Sequence, residues 1–286
     1  MTRSIAALLI AMVSIQSGAA LAKQLFPLIG SQATTMLRLG FAALILCLLW
    51  RPWKTTFSKK EIRSLLIYGT SLGVMNLTFY LALERIPLGI AVALEFTGPL
   101  AVAFFTSRKP LDFIWVAFAM AGMILILPFS QSTASLDPVG IIYALGAGIC
   151  WALYIIFGQK AGFGVHGGTA TALGMLTAAL VVLPAGLINS DMRLLDWSIL
   201  PIALGVAVFS SALPYSLEMV ALKKLPTQTF SILMSLEPAI AALSGLLFLK
   251  ERLTLTQWTA IFLVIVASVG ISGHRKKAKG IGNHER

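Results

Sequence analysis

The sequence predicts an all-α polytopic membrane protein with ten transmembrane helices, arranged as a five-plus-five inverted repeat. Three observations lead to this fold class. Of the 286 residues, 58% are hydrophobic and only 12% are charged, whereas soluble domains contain about 25% charged residues. The apolar residues fall into ten runs, each near the roughly 20 residues that a helix needs to cross a bilayer. The stretch around Glu95 also returns 139 residues later, around Glu237.

The ten runs give the order of the elements along the chain. The first run ends in Ala20-Leu21-Ala22, which resembles a signal-peptide cleavage site. Its end matches the end of the sixth run at an offset of 137 residues, Leu21-Ala22-Lys23 against Gly158-Gln159-Lys160, so we expect a retained helix. The predicted spans are residues 4–23, 32–50, 62–84, 88–106, 112–128, 138–159, 168–188, 198–221, 227–249 and 254–272.

The distribution of Lys and Arg predicts the orientation of the spans. With the N-terminus in the cytoplasm, sixteen of the 22 basic residues lie in cytoplasmic segments, five lie outside and Arg38 lies within a span. Positive charge accumulates on the cytoplasmic side of membrane proteins, so we place both termini inside. We predict one repeat at 1–135, a second at 136–273 and a basic cytoplasmic tail at 274–286. Five spans per repeat give the repeats opposite orientations.

Each repeat contains a span that carries both a carboxylate and a proline. Residues 87–103 read PLGIAVALEFTGPLAVA and contain Glu95 followed by Gly98-Pro99; residues 226–242 read PTQTFSILMSLEPAIAA and contain Glu237-Pro238. Proline removes a helical hydrogen bond and weakens the helix. Broken helices that meet near the midplane form the substrate sites of many inverted-repeat transporters. We therefore predict helix breaks at Gly98, Pro99 and Pro238.

Charged side chains inside the spans are the strongest functional signal in the chain. A charge in a bilayer costs at least a few kcal/mol and usually faces a cavity. At roughly 1.5 Å per residue, three side chains reach similar depths from the outer surface: Arg38, Glu95 and Asn76. We expect one polar cavity, whose substrate-binding or proton-coupling residues are Arg38, Asn76, Tyr80, Glu95 and Glu237. The alternative is a structural ion pair between Arg38 and Glu95.

Other polar and small residues within the spans have less specific interpretations. Glu218 is about one turn from the inner end of its span, and we expect it to extend to the interface as long charged side chains do. Gln16, Ser14 and Ser17 form a patch on the first helix that lines the cavity or joins helices. The G-x-x-x-G at Gly69 to Gly73 predicts close helix packing rather than a site.

No enzyme, cofactor or nucleic-acid signature accompanies these features. The sequence contains no G-x-S-x-G, H-E-x-x-H or Walker A motif. Its three histidines lie in predicted loops or in the tail, so we expect no metal site and no cofactor. The net charge of +11 comes from short loops between apolar runs, which fits topology and a lipid bilayer better than a nucleic-acid partner. The sequence does not indicate an oligomeric state.

Four stretches resemble the drug/metabolite transporter superfamily, EamA type, and the similarity extends over nearly the whole chain apart from the tail. They are SIQSGAALAKQLFPLIG (14–30), PLGIAVALEFTGPLAVA (87–103), ALGAGICWALYI (144–155) and LPYSLEMVALKKLPTQTFSILMSLEPAIAAL (213–243). The resemblance implies a secondary exporter of small amino acids, threonine and homoserine, in the bacterial inner membrane and coupled to protons. One departure is Lys250 in Leu249-Lys250-Glu251, where the family usually has glycine.

The residues alone allow other functions on the same fold. A carrier or facilitator for another small metabolite, such as other amino acids, a sugar or a nucleotide-sugar, remains an alternative, since one fold supports many functions. A membrane scaffold without transport activity is a further alternative. Burial disfavours the charged form of a carboxylate, so we expect Glu95 or Glu237 to exchange protons, with Glu95 favoured because it shares a depth with Arg38.

Overall fold

The computed structural model describes residues 2–23, 25–86, 88–106, 110–126, 137–188, 197–234 and 236–248, with scattered positions between 255 and 267. These residues form helices and turns and no strand, so the predicted all-α class is confirmed for the described part of the chain. A 3₁₀ turn at Pro52–Lys54 follows α2, and a π-helical turn at Val208–Ala212 joins α9 to α10. The helices are α1 (Thr2–Lys23), α2 (Phe26–Trp50), α3 (Lys59–Leu83), α4 (Leu88–Glu95), α5 (Thr97–Thr106), α6 (Pro110–Ile126), α7 (Pro138–Gly164), α8 (Gly167–Ile188), α9 (Ile199–Ala207), α10 (Leu213–Lys224), α11 (Thr227–Leu233) and α12 (Leu236–Phe248).

Six of the predicted spans are helices that are long and apolar enough to cross a membrane. The predicted fourth and ninth spans are each divided into two short helices, α4 with α5 and α11 with α12, and the fifth is α6. The predicted tenth span, 254–272, lies mostly outside the described residues, as does the tail 274–286. The total of ten spans therefore stays a prediction. The six long helices are Arg3–Lys23, Phe26–Trp50, Lys59–Leu83, Pro138–Gly162, Gly167–Ile188 and Ile199–Lys224.

The two divided spans are interrupted at matching positions. Phe96 alone separates α4 from α5, and the second short helices begin 139 residues apart, at Thr97 and Leu236. Pro99 and Pro238 are each the third residue of these helices. The first turn of a helix has no intrahelical partner for its N–H groups, so proline fits there without loss. The interruptions therefore lie just before the prolines rather than at them.

A close backbone contact between α5 and α7 holds the first interruption. Pro99 has no N–H to donate to the carbonyl of Glu95, four residues earlier. Gly148 of α7 lies against that carbonyl, because a Cβ on Gly148 would come within 2.7 Å of the Glu95 oxygen. A Cβ on Gly98 would come within 1.8 Å of the Gly148 oxygen. The two glycines thus allow an approach that fixes the position of Glu95.

Small residues also bring α3 against α8. A Cβ on Gly69 would lie 2.5 Å from Thr177 Cβ, and one on Gly73 would lie 2.8 Å from the Ala178 oxygen. Contacts this short leave no room for any side chain on either glycine. The prediction that this G-x-x-x-G serves helix packing is confirmed.

Polar contacts tie α2, α3 and α7 together at the end of the bundle that we predict to face outward. Gly30 has φ 77° and interrupts α2, and the backbone N–H of Ser31 donates to Glu84 Oε1 at 3.0 Å. The neighbouring Arg85 forms an ion pair of 2.8 Å with Asp137, which caps α7. Arg85 and Asp137 belong to different predicted repeats, so this ion pair joins the repeats on one side of the molecule.

Two clusters of buried apolar side chains fill most of the bundle. The larger includes Tyr68, Trp151 and Tyr215, and the smaller includes Tyr80 and Val92. Four of these five residues, all except Tyr68, also line a single polar cavity. The cavity therefore lies where the two apolar clusters meet.

Candidate functional site

The cavity is small, enclosed mainly by helices and lined by charged side chains from both predicted repeats. Its volume is about 40 Å³. This is room for about three water molecules, since each needs ~10–15 Å³. Seven helices contribute the lining residues, which are Ile15, Gln16, Ala19, Arg38, Met75, Asn76, Phe79, Tyr80, Val92, Glu95, Trp151, Tyr215, Glu218 and Glu237.

Arg38 of α2 is the cation of the cavity, and its side chain is 3% exposed. One terminal nitrogen donates to Asn76 Oδ1, and the other makes long hydrogen bonds of 3.4 and 3.5 Å to the Ser210 hydroxyl and carbonyl. The guanidinium carbon lies 4.5 Å from the centre of the Tyr80 ring. Arg38 Nε has no hydrogen-bond partner. All of these partners are neutral, so the positive charge remains available to an anionic ligand.

Ser210 reaches Arg38 because of the π-helical turn between α9 and α10. Such turns leave a carbonyl with weakened intrahelical bonding and occur frequently at functional sites. Gly18 of α1 packs directly on this turn, since a Cβ on Gly18 would come within 2.4 Å of Ser210 Cβ. The close approach of α1 therefore keeps the π-turn beside the guanidinium.

Asn76 orients Arg38 and is itself held at both ends of its amide. Its Nδ2 donates to the Leu72 carbonyl at 2.8 Å and lies 3.0 Å from the Tyr215 hydroxyl. The Tyr215 hydroxyl is also 3.1 Å from Asn76 Oδ1. Asn76 and Tyr215 are 139 residues apart, the offset of the repeat. They thus occupy matching positions in the two predicted repeats.

Three carboxylates line the same cavity, and all are buried. Glu95 ends α4 and interacts electrostatically with both Glu237 and Arg38. Glu237 Oε1 accepts a hydrogen bond of 3.1 Å from Gln16 Nε2 of α1. Glu218 accepts a hydrogen bond of 2.6 Å from the Tyr154 hydroxyl. One cation therefore shares the cavity with three acids, two of them from the second predicted repeat.

Two interpretations from the sequence require correction. The expectation that Glu218 extends to the inner interface is wrong, since it is 1% exposed and lines the cavity. Sequence position gave its depth, whereas packing of α10 in the bundle set its direction. Arg38 and Glu95, both described, make no ion pair within 4.0 Å. The described part of the chain thus lacks the structural ion pair offered as an alternative.

The five residues that the sequence grouped, Arg38, Asn76, Tyr80, Glu95 and Glu237, all line this cavity. The break residues Gly98, Pro99 and Pro238 do not line it and act on the backbone behind it.

The sequence left open whether the polar patch on α1 lines the cavity or joins helices, and its residues differ in this respect. Gln16 both lines the cavity and joins α1 to α12, whereas Ser14 donates to the Phe209 carbonyl at a separate apolar groove that Ser17 also lines. Sequence reasoning missed Tyr215, although its 139-residue offset from Asn76 was a usable signal.

Comparison with known proteins gives the chain its family. The sequence model of the EamA-like transporter family matches residues 138–273. The threonine/homoserine exporter RhtA of Salmonella typhimurium (strain LT2) is 55% identical over 263 residues, which cover 92% of this chain and 89% of the exporter. The threonine/homoserine exporter RhtA of Escherichia coli (strain K12) is 53% identical with the same coverage.

A solved crystal structure supports the fold independently of sequence. It superposes with a TM-score of 0.71 over 92% of this chain and 96% of its own, at 15% identity. At that identity the likeness concerns the fold alone. The relatives at high identity are transporters and not enzymes, and the helices are apolar enough for a multi-pass membrane protein. The chain belongs to the EamA-like transporter family.

Proposed function

We propose that this protein exports small amino acids, threonine and homoserine among them, across the bacterial inner membrane in exchange for protons. The observation that carries the proposal is a buried cavity in which Arg38 has only neutral partners while three carboxylates lie nearby. Such an arrangement complements a zwitterion, with a cation for its carboxylate and acids for its ammonium group. The names of the relatives at 53–55% identity supply the two amino acids.

Arg38 holds the substrate carboxylate. Guanidinium presents a planar set of donors that matches a carboxylate at two points, and Arg38 Nε is a buried donor without a partner. Asn76 and Ser210 keep the guanidinium in place through its terminal nitrogens. Asn76 uses its amide in these contacts and in those with Tyr215 and Leu72. Asn76 is therefore a positioning residue. Tyr80 is the residue that we expect to contact the side-chain hydroxyl of the substrate.

The acid pair Glu95 and Glu237 couples export to the proton gradient. The two carboxylates interact electrostatically in a buried site, where two neighbouring negative charges are strongly disfavoured. The pair therefore holds a proton when no substrate is bound and releases it when the ammonium group of the substrate arrives. Competition between substrate and proton for one site is sufficient for antiport. We assign the exchanged proton to Glu95, which ends α4 at the break.

Alternating access completes the cycle. In the inward-facing state the acid pair loses a proton to the cytoplasm and binds the amino acid. In the outward-facing state a periplasmic proton displaces the amino acid, and the protein with its neutralised site returns to the inward-facing state. The two predicted repeats, 1–135 and 136–273, move against each other, with both termini in the cytoplasm. Contacts such as Arg85–Asp137, which join the repeats at one end, open and close in this cycle.

Uptake of labelled threonine and homoserine into inverted membrane vesicles tests the proposal. The vesicle lumen corresponds to the periplasm, so an acidic lumen should drive accumulation above the external concentration, and a protonophore should abolish it. Equilibration without a gradient effect would identify a facilitator instead. Absence of uptake, with the protein present in the membrane, would refute amino-acid export altogether.

A further inference from the structure

We infer that Gln16 and Glu237 form the subsite that binds the ammonium group of the substrate. This inference rests on the proposed function and assigns a ligand role to Gln16, a neutral residue of α1. Gln16 and Glu237 are each 4% exposed and both line the cavity. Their side chains meet across the contact between α1 and α12.

The geometry leaves two acceptor oxygens unused. Gln16 Nε2 donates to Glu237 Oε1 at 3.1 Å, and this bond does not involve the Gln16 oxygen or the second Glu237 oxygen. Neither Gln16 Oε1 nor Glu237 Oε2 has a hydrogen-bond partner. A buried acceptor without a donor is costly, and N–H groups of a ligand would supply donors to both oxygens.

An ammonium group is the ligand that fits these acceptors. It carries three N–H donors and a positive charge, which suits one carboxylate oxygen and one amide oxygen at the same point. A proton on Glu237 Oε2 that points at Gln16 Oε1 is the other way to satisfy both oxygens, and the ammonium group has to displace that proton. Among the described residues, no three His, Cys, Asp or Glu side chains come close enough together to hold a metal ion. A nitrogen cation fits the two unpartnered oxygens in geometry and in charge.

This assignment separates the roles of the two acids. Glu237, with Gln16, binds the ammonium group, while Glu95 is the residue that carries and releases the exchanged proton. Glu95 responds to the new positive charge through its electrostatic interaction with Glu237. Arg38 Nε and the acceptor pair then form the two ends of a site for the head group of an amino acid. A molecule with the same carboxylate but no ammonium group would use only the Arg38 end.

The test compares threonine with 2,3-dihydroxybutanoate, the 2-hydroxy acid of the same skeleton, as competitors of labelled threonine in inverted vesicles. In the unmodified protein threonine should compete at least about tenfold better, because hydrogen bonds to charged groups are among the stronger ones. Gln16→Met keeps the side-chain length and removes both the acceptor oxygen and the donor to Glu237. We expect it to weaken threonine about 10- to 100-fold and to change the affinity for the hydroxy acid by less than about threefold.

Ser14→Ala is the matched control, since Ser14 also joins α1 to another helix but does not line the cavity. It should leave the ratio of the two affinities unchanged. A Gln16→Met protein that retains the ratio, or loses both ligands equally while remaining folded, overturns the subsite and leaves amino-acid export standing. If Gln16→Met does not reach the membrane, the unmodified protein still decides, because equal competition by the hydroxy acid excludes an ammonium subsite. Absence of threonine transport in the unmodified protein instead refutes the proposed function.

Discussion

Replacing Gly148 with alanine tests how strongly α7 fixes the break at Glu95. The new Cβ would lie 2.7 Å from the Glu95 carbonyl oxygen, whereas ordinary contacts begin at 3.4 Å. The neighbour is backbone and cannot rotate away, so α4 and α7 must separate by roughly 0.7 Å. Overpacking of this kind costs about 1–3 kcal/mol. The shift acts on the residue to which we assign the exchanged proton.

Gly146→Ala is the control for this substitution. Gly146 lies on the same helix, and a Cβ there would meet nothing within 4 Å. Both substitutions gain the same helix propensity, about 1 kcal/mol for glycine to alanine, so the difference between them isolates the clash. We expect Gly148→Ala to be less stable than Gly146→Ala by about 1–3 kcal/mol.

Reversible unfolding in detergent micelles with increasing dodecyl sulfate gives the two free energies. Export rates in vesicles should separate in the same direction, with Gly146→Ala near the unmodified rate and Gly148→Ala at least about tenfold slower, because errors approaching 1 Å in a site are costly. Equal stability and equal export in the two variants would show that α7 does not restrain the break, and the reasoning about Gly98 and Gly148 would fail with it.

Four further outcomes follow from the site and the topology. Arg38→Lys should reach the membrane yet lose most transport, because an ammonium group lacks the planar pair of donors that matches a carboxylate; normal export by this variant assigns Arg38 a structural role only. Glu95→Gln imitates the protonated acid and should abolish gradient-driven export and the pH dependence of substrate binding; a variant that still concentrates threonine moves the exchanged proton to Glu237. The hydrogen bond from Arg85 holds the pKa of Asp137 below its usual value, so its contribution is complete above the ordinary carboxyl pKa and is lost as pH falls through the lowered value. The stability difference between the unmodified protein and Asp137→Asn should therefore close below about pH 4, and a constant difference in unfolding temperature down to pH 3 contradicts this. Reporter fusions after Arg63, Lys109 and the tail should be cytoplasmic and those at Ser132 and Asp191 periplasmic; a periplasmic C-terminus would rule out the inverted repeat.

The sequence was sufficient to predict that residues whose burial in a membrane is costly belong to the candidate site. Arg38, Glu95 and Glu237 interrupt apolar runs, and no position other than a polar cavity accommodates them without a large penalty. Their place in one cavity follows from that cost and from approximate depth. The prolines indicated the broken spans for a similar reason, since a missing N–H has local consequences that do not depend on the rest of the fold.

Features that depend on which way a helix faces could not be predicted in this manner. Glu218 is near an end of its span, and only the packing of α10 shows that it points inward to Tyr154. Gln16 is neutral, so its cost of burial did not distinguish a cavity residue from one that joins helices. The π-turn at Val208–Ala212 leaves no clear pattern in an apolar run, yet it brings Ser210 to Arg38.

The hydrogen bond between Asn76 and Tyr215 has a consequence for movement. These residues occupy matching positions in the two predicted repeats, and in an inverted repeat a contact between matching residues would lie on the pseudo-twofold axis. If the repeats exchange conformations as we propose, a contact on this axis would be the same in both states and would not need to break. Arg38 is hydrogen-bonded to Asn76, one member of this contact. Arg38, which we propose binds the substrate carboxylate, would then move little while the cavity closes on one side of the membrane and opens on the other.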